Sequence, residues 1–345
     1  MAKVYNKRWQ TIRQLSEGGQ GHTYLVSEVP DKTGQQFVLK RLKNLKRLGR
    51  FKREVAAMLK LDHRDIIKVI DHSFEGDEPY IVSEYCTGGT LADMMRRGRP
   101  STKESFRLFI LIADAVNYAH SEGVIHRDLK PDNIFLRPPT FIPLVGDFGL
   151  CYIEEAEEAD RETEVHEAVG PRLFMAPESE DGREDRIAPS ADVYSLGKLL
   201  YWLLAGKAFS REKFRDQRWD LGHLIPHAYE LGFNLSMEHI NRLLDKMIVE
   251  DPRRRANLSD LILSAKRVAD LLARAVNPVT GKHSMTCTFC GTGKYAVAYS
   301  GANVVNFGLN LVGNPDWRIL ACDKCGHVQM FRLDHIRDQP GPWVD

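Results

Sequence analysis

His126-Arg127-Asp128-Leu129-Lys130-Pro131-Asp132-Asn133, followed fourteen residues after Asn133 by Asp147-Phe148-Gly149, sets the carboxylates of Asp128 and Asp147, a carboxamide and a lysine in an order that suits phosphoryl transfer. That reaction spreads negative charge over the phosphoryl oxygens, so a protein serves it by positioning reactants and neutralising charge. Asp128 can accept the proton of a substrate hydroxyl or orient that hydroxyl. Lys130, two residues on, can reach the transferring phosphate. Asn133 and Asp147 offer the oxygen ligands that a magnesium ion bridging ATP phosphates takes.

On these two motifs, residues 5–275 resemble a protein kinase of the eukaryotic type, and the ending Lys130-Pro131-Asp132-Asn133 is similar to its serine/threonine branch. The resemblance implies an α+β, two-lobed fold, with a β-rich N-lobe over about residues 5–86 and a mainly helical C-lobe over about residues 87–275. It also implies ATP and magnesium as cofactors and a protein substrate. Upstream, Leu15-Ser16-Glu17-Gly18-Gly19-Gln20-Gly21-His22-Thr23-Tyr24-Leu25-Val26 reads as two strands joined by a glycine-bearing turn, which lets backbone lie close over a triphosphate. Gly18 and Gly21 match two glycines of the family loop, with Ser16 at the place of the first; taken alone, a plain Gly-rich hairpin fits as well. Phe37-Val38-Leu39-Lys40 reads as an apolar strand ending in a lysine, which the resemblance assigns to the α- and β-phosphates. A helix predicted over residues 51–61, with Val55, Met58 and Leu59 as its apolar face, puts Glu54 at the place of that lysine's ion-pair partner; an exposed glutamate is the plainer alternative.

The run Tyr80-Ile81-Val82-Ser83-Glu84-Tyr85-Cys86-Thr87-Gly88-Gly89-Thr90-Leu91 reads as a buried strand, a Gly-Gly turn and the start of a helix. By resemblance it joins the lobes, with the backbone of Glu84 and Cys86 meeting the adenine. Met175-Ala176-Pro177-Glu178 resembles the family's A-P-E element, Glu178 is expected to pair with Arg255, and Asp192 to brace the catalytic loop from beneath. Pro171 stands where the family carries a threonine near the catalytic Asp. Residues 154–167 hold Glu154, Glu155, Glu157, Glu158, Asp160, Glu162, Glu164 and Glu167 against Arg161 alone among Lys and Arg. A solvated acidic loop is one reading. The other makes Thr163, the only hydroxyl amino acid there, the phosphate acceptor that Arg127 awaits.

Near the C-terminus, Cys287-Thr288-Phe289-Cys290-Gly291 and Cys322-Asp323-Lys324-Cys325-Gly326 are two C-x-x-C-G knuckles that use four of the six cysteines. Two paired thiolates each suit a tetrahedral structural zinc, with disulfides or redox dithiols as the alternative. Strands expected at residues 295–299, 304–311 and 318–321 make residues 285–337 a small all-β module resembling a zinc ribbon, joined by a linker at residues 276–284. Four ligating thiols leave no open metal position, so its expected role is structural, with a protein or nucleic-acid partner open. The basic run of residues 40–47 reads as a solvated loop.

A chain of 345 residues with 43% hydrophobic and 28% charged residues has room for a large core and a small module. A net charge of +1 gives no general attraction to nucleic acid or membrane. No signal-like apolar stretch opens the chain and no membrane insertion is expected, and the cysteine usage points to a reducing, cytoplasmic setting. The reading reached is a Ser/Thr protein kinase with a zinc ribbon for targeting or substrate recruitment. The alternative is a nucleotide-binding scaffold acting through the ribbon.

Overall fold

A computed structural model of the chain describes residues 3–17, 21–31, 33–148, 152–153, 173–180, 188–209, 237–275, 289–290, 295–300, 317–322, 324–325 and 327–332. By the packing of its Cα trace the chain divides into two units, residues 1–213 with 246–262, and residues 214–245 with 263–345.

The first unit opens with strands β1 (Val4–Tyr5), β2 (Trp9–Glu17), β3 (Gly21–Glu28), β4 (Gln36–Leu42), β5 (Val69–Ser73) and β6 (Tyr80–Glu84). They form one antiparallel sheet in the order β1-β2-β3-β4-β6-β5. Alternation in β4 explains its place: Phe37 and Leu39 turn inward with Tyr5, Trp9, Val26, Tyr80 and Val82 to make the core of this lobe. The indole Nε1 of Trp9 donates to Asp71 at 2.6 Å, so burial of this large ring leaves no orphaned donor. The strand continues past Lys40 to Leu42, so the lysine lies within a paired strand, opposite Thr23 on one side and Ile81 on the other.

Helix α1 (Leu48–Lys60) buries Phe51, Glu54, Val55 and Met58, a stripe spaced at three and four residues. Leu59 is 54% exposed, which corrects its expected place on the apolar face: one residue past Met58 is a turn of about 100° away from the core. After β6 come α2 (Leu91–Arg97) and α3 (Thr102–Ser121). A reciprocal capping box between Thr90 and Asp93 starts α2, and Ser101 accepts from the Glu104 N–H to start α3. Between α3 and the later helices lie β7 (Val124–Ile125), β8 (Ile134–Arg137), β9 (Ile142–Val145) and β10 (Tyr152–Ile153), paired as β7 with β10 and β8 with β9.

Helices α4 (Pro177–Glu180) and α5 (Ser190–Ala205) follow. The latter packs on α3, with Leu108, Phe109, Ile112, Leu196, Leu199, Leu200 and Leu203 all fully buried. Helix α5 is apolar on nearly every side because it is the centre of this lobe, and it ends at Gly206, whose φ of 71° is the left-handed value a C-terminal cap uses. Helices α6 (Met237–Met247) and α7 (Leu258–Ala275) follow, each divided between the two units. No helix among the described residues is long and apolar enough to cross a membrane.

In the second unit β11 (Tyr295–Ser300), β12 (Trp317–Cys322) and β13 (Val328–Arg332) make an antiparallel sheet in that order. The first two match expected strands. The third was not foreseen from sequence, and the strand expected at residues 304–311 lies outside the described residues.

Candidate active site

The loop from His126 to Asn133 leaves β7 and returns through β8, so its side chains are held between two short strands. Within it Lys130 Nζ donates to Asp128 Oδ2 at 2.7 Å. Asn133 Nδ2 donates to the Asp128 carbonyl at 2.8 Å and to its Oδ2 at 3.0 Å. Asp128 is thus clamped from two sides by donors close to it in sequence. Asp147 reaches the same place from the far end of β9, with the Gly146 N–H donating to the Asn133 carbonyl at 3.0 Å.

From the sheet, Lys40 Nζ donates to Glu54 Oε1 at 2.8 Å and to Asp147 Oδ1 at 3.0 Å. The structure therefore brings together three residues that lie on β4, on α1 and after β9. Burial opposes the charge on Lys40, but Asp147 and Glu54 outweigh it and raise its pKa. Burial pushes Glu54 above the usual carboxylate range, while Asp147, for which burial acts the same way, is held below it by Lys40. A lysine kept cationic beside an ionised aspartate is an arrangement that receives polyphosphate and a divalent cation. Oxygens of Asn133 and Asp147 are of the hard donor type magnesium takes, and the residues present fit that ion.

Beneath the loop sits Asp192, fully buried at the start of α5. Its carboxylate accepts from the backbone N–H of His126 and of Arg127 and bonds His120 Nε2, each at 2.8 Å. Burial opposes ionisation there, but the His120 bond and the charges and donors of the loop hold its pKa below the ordinary range. Arg127 and Asp147 both adopt left-handed backbone, with φ of 68° and 57°. Such strain in non-glycine residues costs about 1–3 kcal/mol each and persists only where surrounding bonds enforce it. His126 joins the two motifs: its Nε2 bonds the Gly146 carbonyl at 3.0 Å and its ring lies 4.5 Å from that of Phe148.

The expected ion pair of Glu178 with Arg255 is present, with Nη2 to Oε2 at 2.8 Å, and Arg255 also donates to the carbonyls of Val249, Ser190 and Glu250. At the lobe connection, the Glu84 side chain does more than its sequence suggested. It accepts from the Lys68 N–H at 3.0 Å and from Arg137 Nη2 at 2.7 Å, tying β6 to β8. Cys86 is buried, and burial followed by the charge of Glu84 pushes its thiol up to about 12, which leaves it an inert side chain.

In the glycine-bearing turn, Ser16 pairs with Thr23 across β2 and β3. Gly18 lies outside the described residues. Gly21 has a packing reason of its own: a Cβ there would sit 2.3 Å from the Arg41 carbonyl oxygen. Thr163 and Pro171 lie outside the described residues. Of the knuckles, Cys290 and Cys325 are each placed in a turn and Cys322 ends β12, while Cys287 lies outside the described residues. Among the described residues no group of three or more His, Cys, Asp or Glu forms a metal cluster. Sequence reasoning missed His120, Arg137 and the joining role of His126. His120 and Arg137 belong to no motif, His126 opens one that says nothing of its partners, and only the fold sets the three against Asp192, Glu84 and Gly146.

A family model described as the protein kinase domain matches residues 9–265. Among curated relatives, a probable serine/threonine-protein kinase zyg-1 of Caenorhabditis briggsae is 30% identical over 261 residues, 74% of this chain and 33% of the relative. CBL-interacting protein kinase 28 of Oryza sativa subsp. japonica is 28% identical over 82% of this chain and 64% of its own length. Serine/threonine-protein kinase PkaA of Streptomyces coelicolor is 37% identical over 46% of this chain and 29% of its own length. The chain thus spans between a third and just under two thirds of the first two relatives.

Proposed function

This chain belongs to the protein kinase family, and we propose that it transfers the γ-phosphate of ATP, with magnesium, to serine or threonine hydroxyls of a protein substrate. The observation that carries the reading is the joint placement of Lys40 on Glu54 and Asp147 with Asp128 held by Lys130 and Asn133. Those are the charges that phosphoryl transfer needs within one site. The relatives named as serine/threonine-protein kinases favour serine and threonine as acceptors.

In this reading Lys40, oriented by Glu54, holds the α- and β-phosphates. Ser16, Gly18 and Gly21 border the triphosphate, and backbone of Glu84 and Cys86 meets the adenine. Asn133 and Asp147 are the residues that would hold magnesium, whose contribution when bound is to neutralise charge on the phosphate oxygens. Asp128 takes or orients the proton of the substrate hydroxyl, and Lys130 steadies the transferring group. Arg127 receives a phosphorylated Thr163 or a carboxylate of residues 154–167.

We assign residues 5–275 to the kinase domain, 276–284 to a linker and 285–337 to a zinc ribbon with Cys287, Cys290, Cys322 and Cys325 as ligands. Support for the ribbon is the register that sets Tyr295, five residues past Cys290, opposite Cys322, the end of the β11–β12 pair where such a reading needs the cysteines. The cysteine usage favours a cytoplasmic protein, and a protein or nucleic-acid partner of the ribbon fits its role.

The test is transfer from radiolabelled ATP, to the chain itself and to a basic protein, in wild type, Asp128→Asn and Asp147→Asn. Label from wild type alone supports the proposal. No transfer by wild type with ATP binding retained sinks it in favour of a nucleotide-binding scaffold.

A further inference from the structure

Phe289 lies between the two cysteines of the first knuckle, and His327 lies two residues past the last cysteine of the second. Both meet one side chain of α6, His239, within the second unit. The His239 ring stacks on Phe289 with centroids 3.9 Å apart and planes 3° apart. Its Nε2 shares a hydrogen bond with Nδ1 of His327, the two rings being 4.4 Å apart and 10° from parallel. Parallel rings joined through facing nitrogens lie edge to edge, so the two imidazoles form one flat pair, and Phe289 covers its His239 half. Both histidines are buried, at 6% and 4% exposure.

Three short strands bury little on their own, and a sheet of this size needs added restraints. A metal is one. A flat, buried ring pair that both knuckles close upon is a second, and it comes from a helix inside the stretch that the family model matches.

We propose that His239 is the docking post of the C-terminal module, so that α6 and the two knuckles order as one body. The knuckle end is then an interface already taken by the chain's own helix, and any partner of the ribbon engages the strand faces of β11–β13 instead. This rests on the reading of the four cysteines as a metal site in one respect: the metal sets the turns that present Phe289 and His327.

Hydrogen exchange on the full-length chain, with zinc content measured on the same samples, tests it. Alanine suits a helix, so His239→Ala removes the ring without harming α6. We expect amides of residues 289–290 and 317–332 to exchange at least tenfold faster in His239→Ala, with α3 unchanged and zinc near one per chain in wild type. Unchanged exchange in those residues, with α3 intact, overturns the docking whatever the zinc content. A clear exchange difference in a chain that binds no zinc supports the docking and removes the metal reading. Should His239→Ala disturb α3 as well, Phe289→Leu decides: faster exchange of residues 237–247 supports the post, and equal exchange overturns it.

Discussion

Replacing Asp192 with alanine removes one carboxylate and three hydrogen bonds, all 2.8 Å long and all within a fully buried site. Two of the donors are backbone N–H groups of His126 and Arg127, and a buried donor left without an acceptor costs about 1–3 kcal/mol. Breaking a buried charged network by deleting one member costs about 3–5 kcal/mol. We therefore expect a loss of about 4 kcal/mol, a large part of the ~5–15 kcal/mol that holds a domain together. The second effect is on catalysis. Arg127 sits at φ 68°, and the bond from its N–H to Asp192 is what offsets that left-handed strain. Without it Arg127 relaxes toward ordinary backbone and carries its neighbour Asp128 with it. A shift of about 1 Å in a catalytic group costs on the order of a hundredfold in rate. Urea unfolding followed by fluorescence, together with steady-state transfer from ATP to a protein acceptor, measures both effects. The expected result is a much lower urea midpoint and a fall in kcat that exceeds any change in KM for ATP, because Lys40, Glu54 and Asp147 keep their places. A variant within about 1 kcal/mol of wild type, or with kcat within threefold, would mean that Asp192 does not hold the catalytic loop.

The same residue sets a pH dependence: its native pKa is depressed below 3.8, so its stabilisation is complete above that ordinary value and fades as pH falls from there through the native value. The gap in urea midpoint between wild type and Asp192→Asn should be full at about pH 6 and narrow below about pH 4. Arg255→Ala should lose about 3–5 kcal/mol by leaving Glu178 and three carbonyls without their donor, and Arg255→Lys should recover less than half because one ammonium cannot replace a fork; thermal melts compare the three. Gly21→Ala should lower stability by about 1–3 kcal/mol and weaken ATP binding, since its Cβ presses on the Arg41 carbonyl, one residue from Lys40; nucleotide titration by calorimetry reads the second effect. Cys325→Ser should lower zinc content well below one per chain in atomic absorption, and an unchanged content would remove the four-cysteine site.

What the sequence determined by itself was the chemistry that is local along the chain. Asp128, Lys130 and Asn133 lie within six positions of one another, and a loop that short can bring them together in few ways, so their spacing already carried their geometry. The strands around Lys40 and at residues 80–84 were legible for a similar reason: each carries a short continuous apolar run, Phe37-Val38-Leu39 and Tyr80-Ile81-Val82. The cysteine knuckles announced themselves by residue type. Tertiary structure alone decided the rest. It brought Lys40 onto Asp147 across 107 residues, a contact made by the packing of a sheet against a hairpin and unstated in either segment. It forced left-handed backbone on Arg127 and Asp147, which no propensity favours and which distant groups such as Asp192 help enforce. It exposed Leu59, extended β4 beyond Lys40, added β13, and set the Arg41 carbonyl where it crowds any side chain at position 21. It also set His239 against Phe289 and His327, three rings with no common spacing in the chain. The physical reason is one of range: a repeat or a motif records which neighbours a residue has along the backbone, whereas buried ion pairs, strain and ring contacts depend on neighbours that only the folded chain supplies.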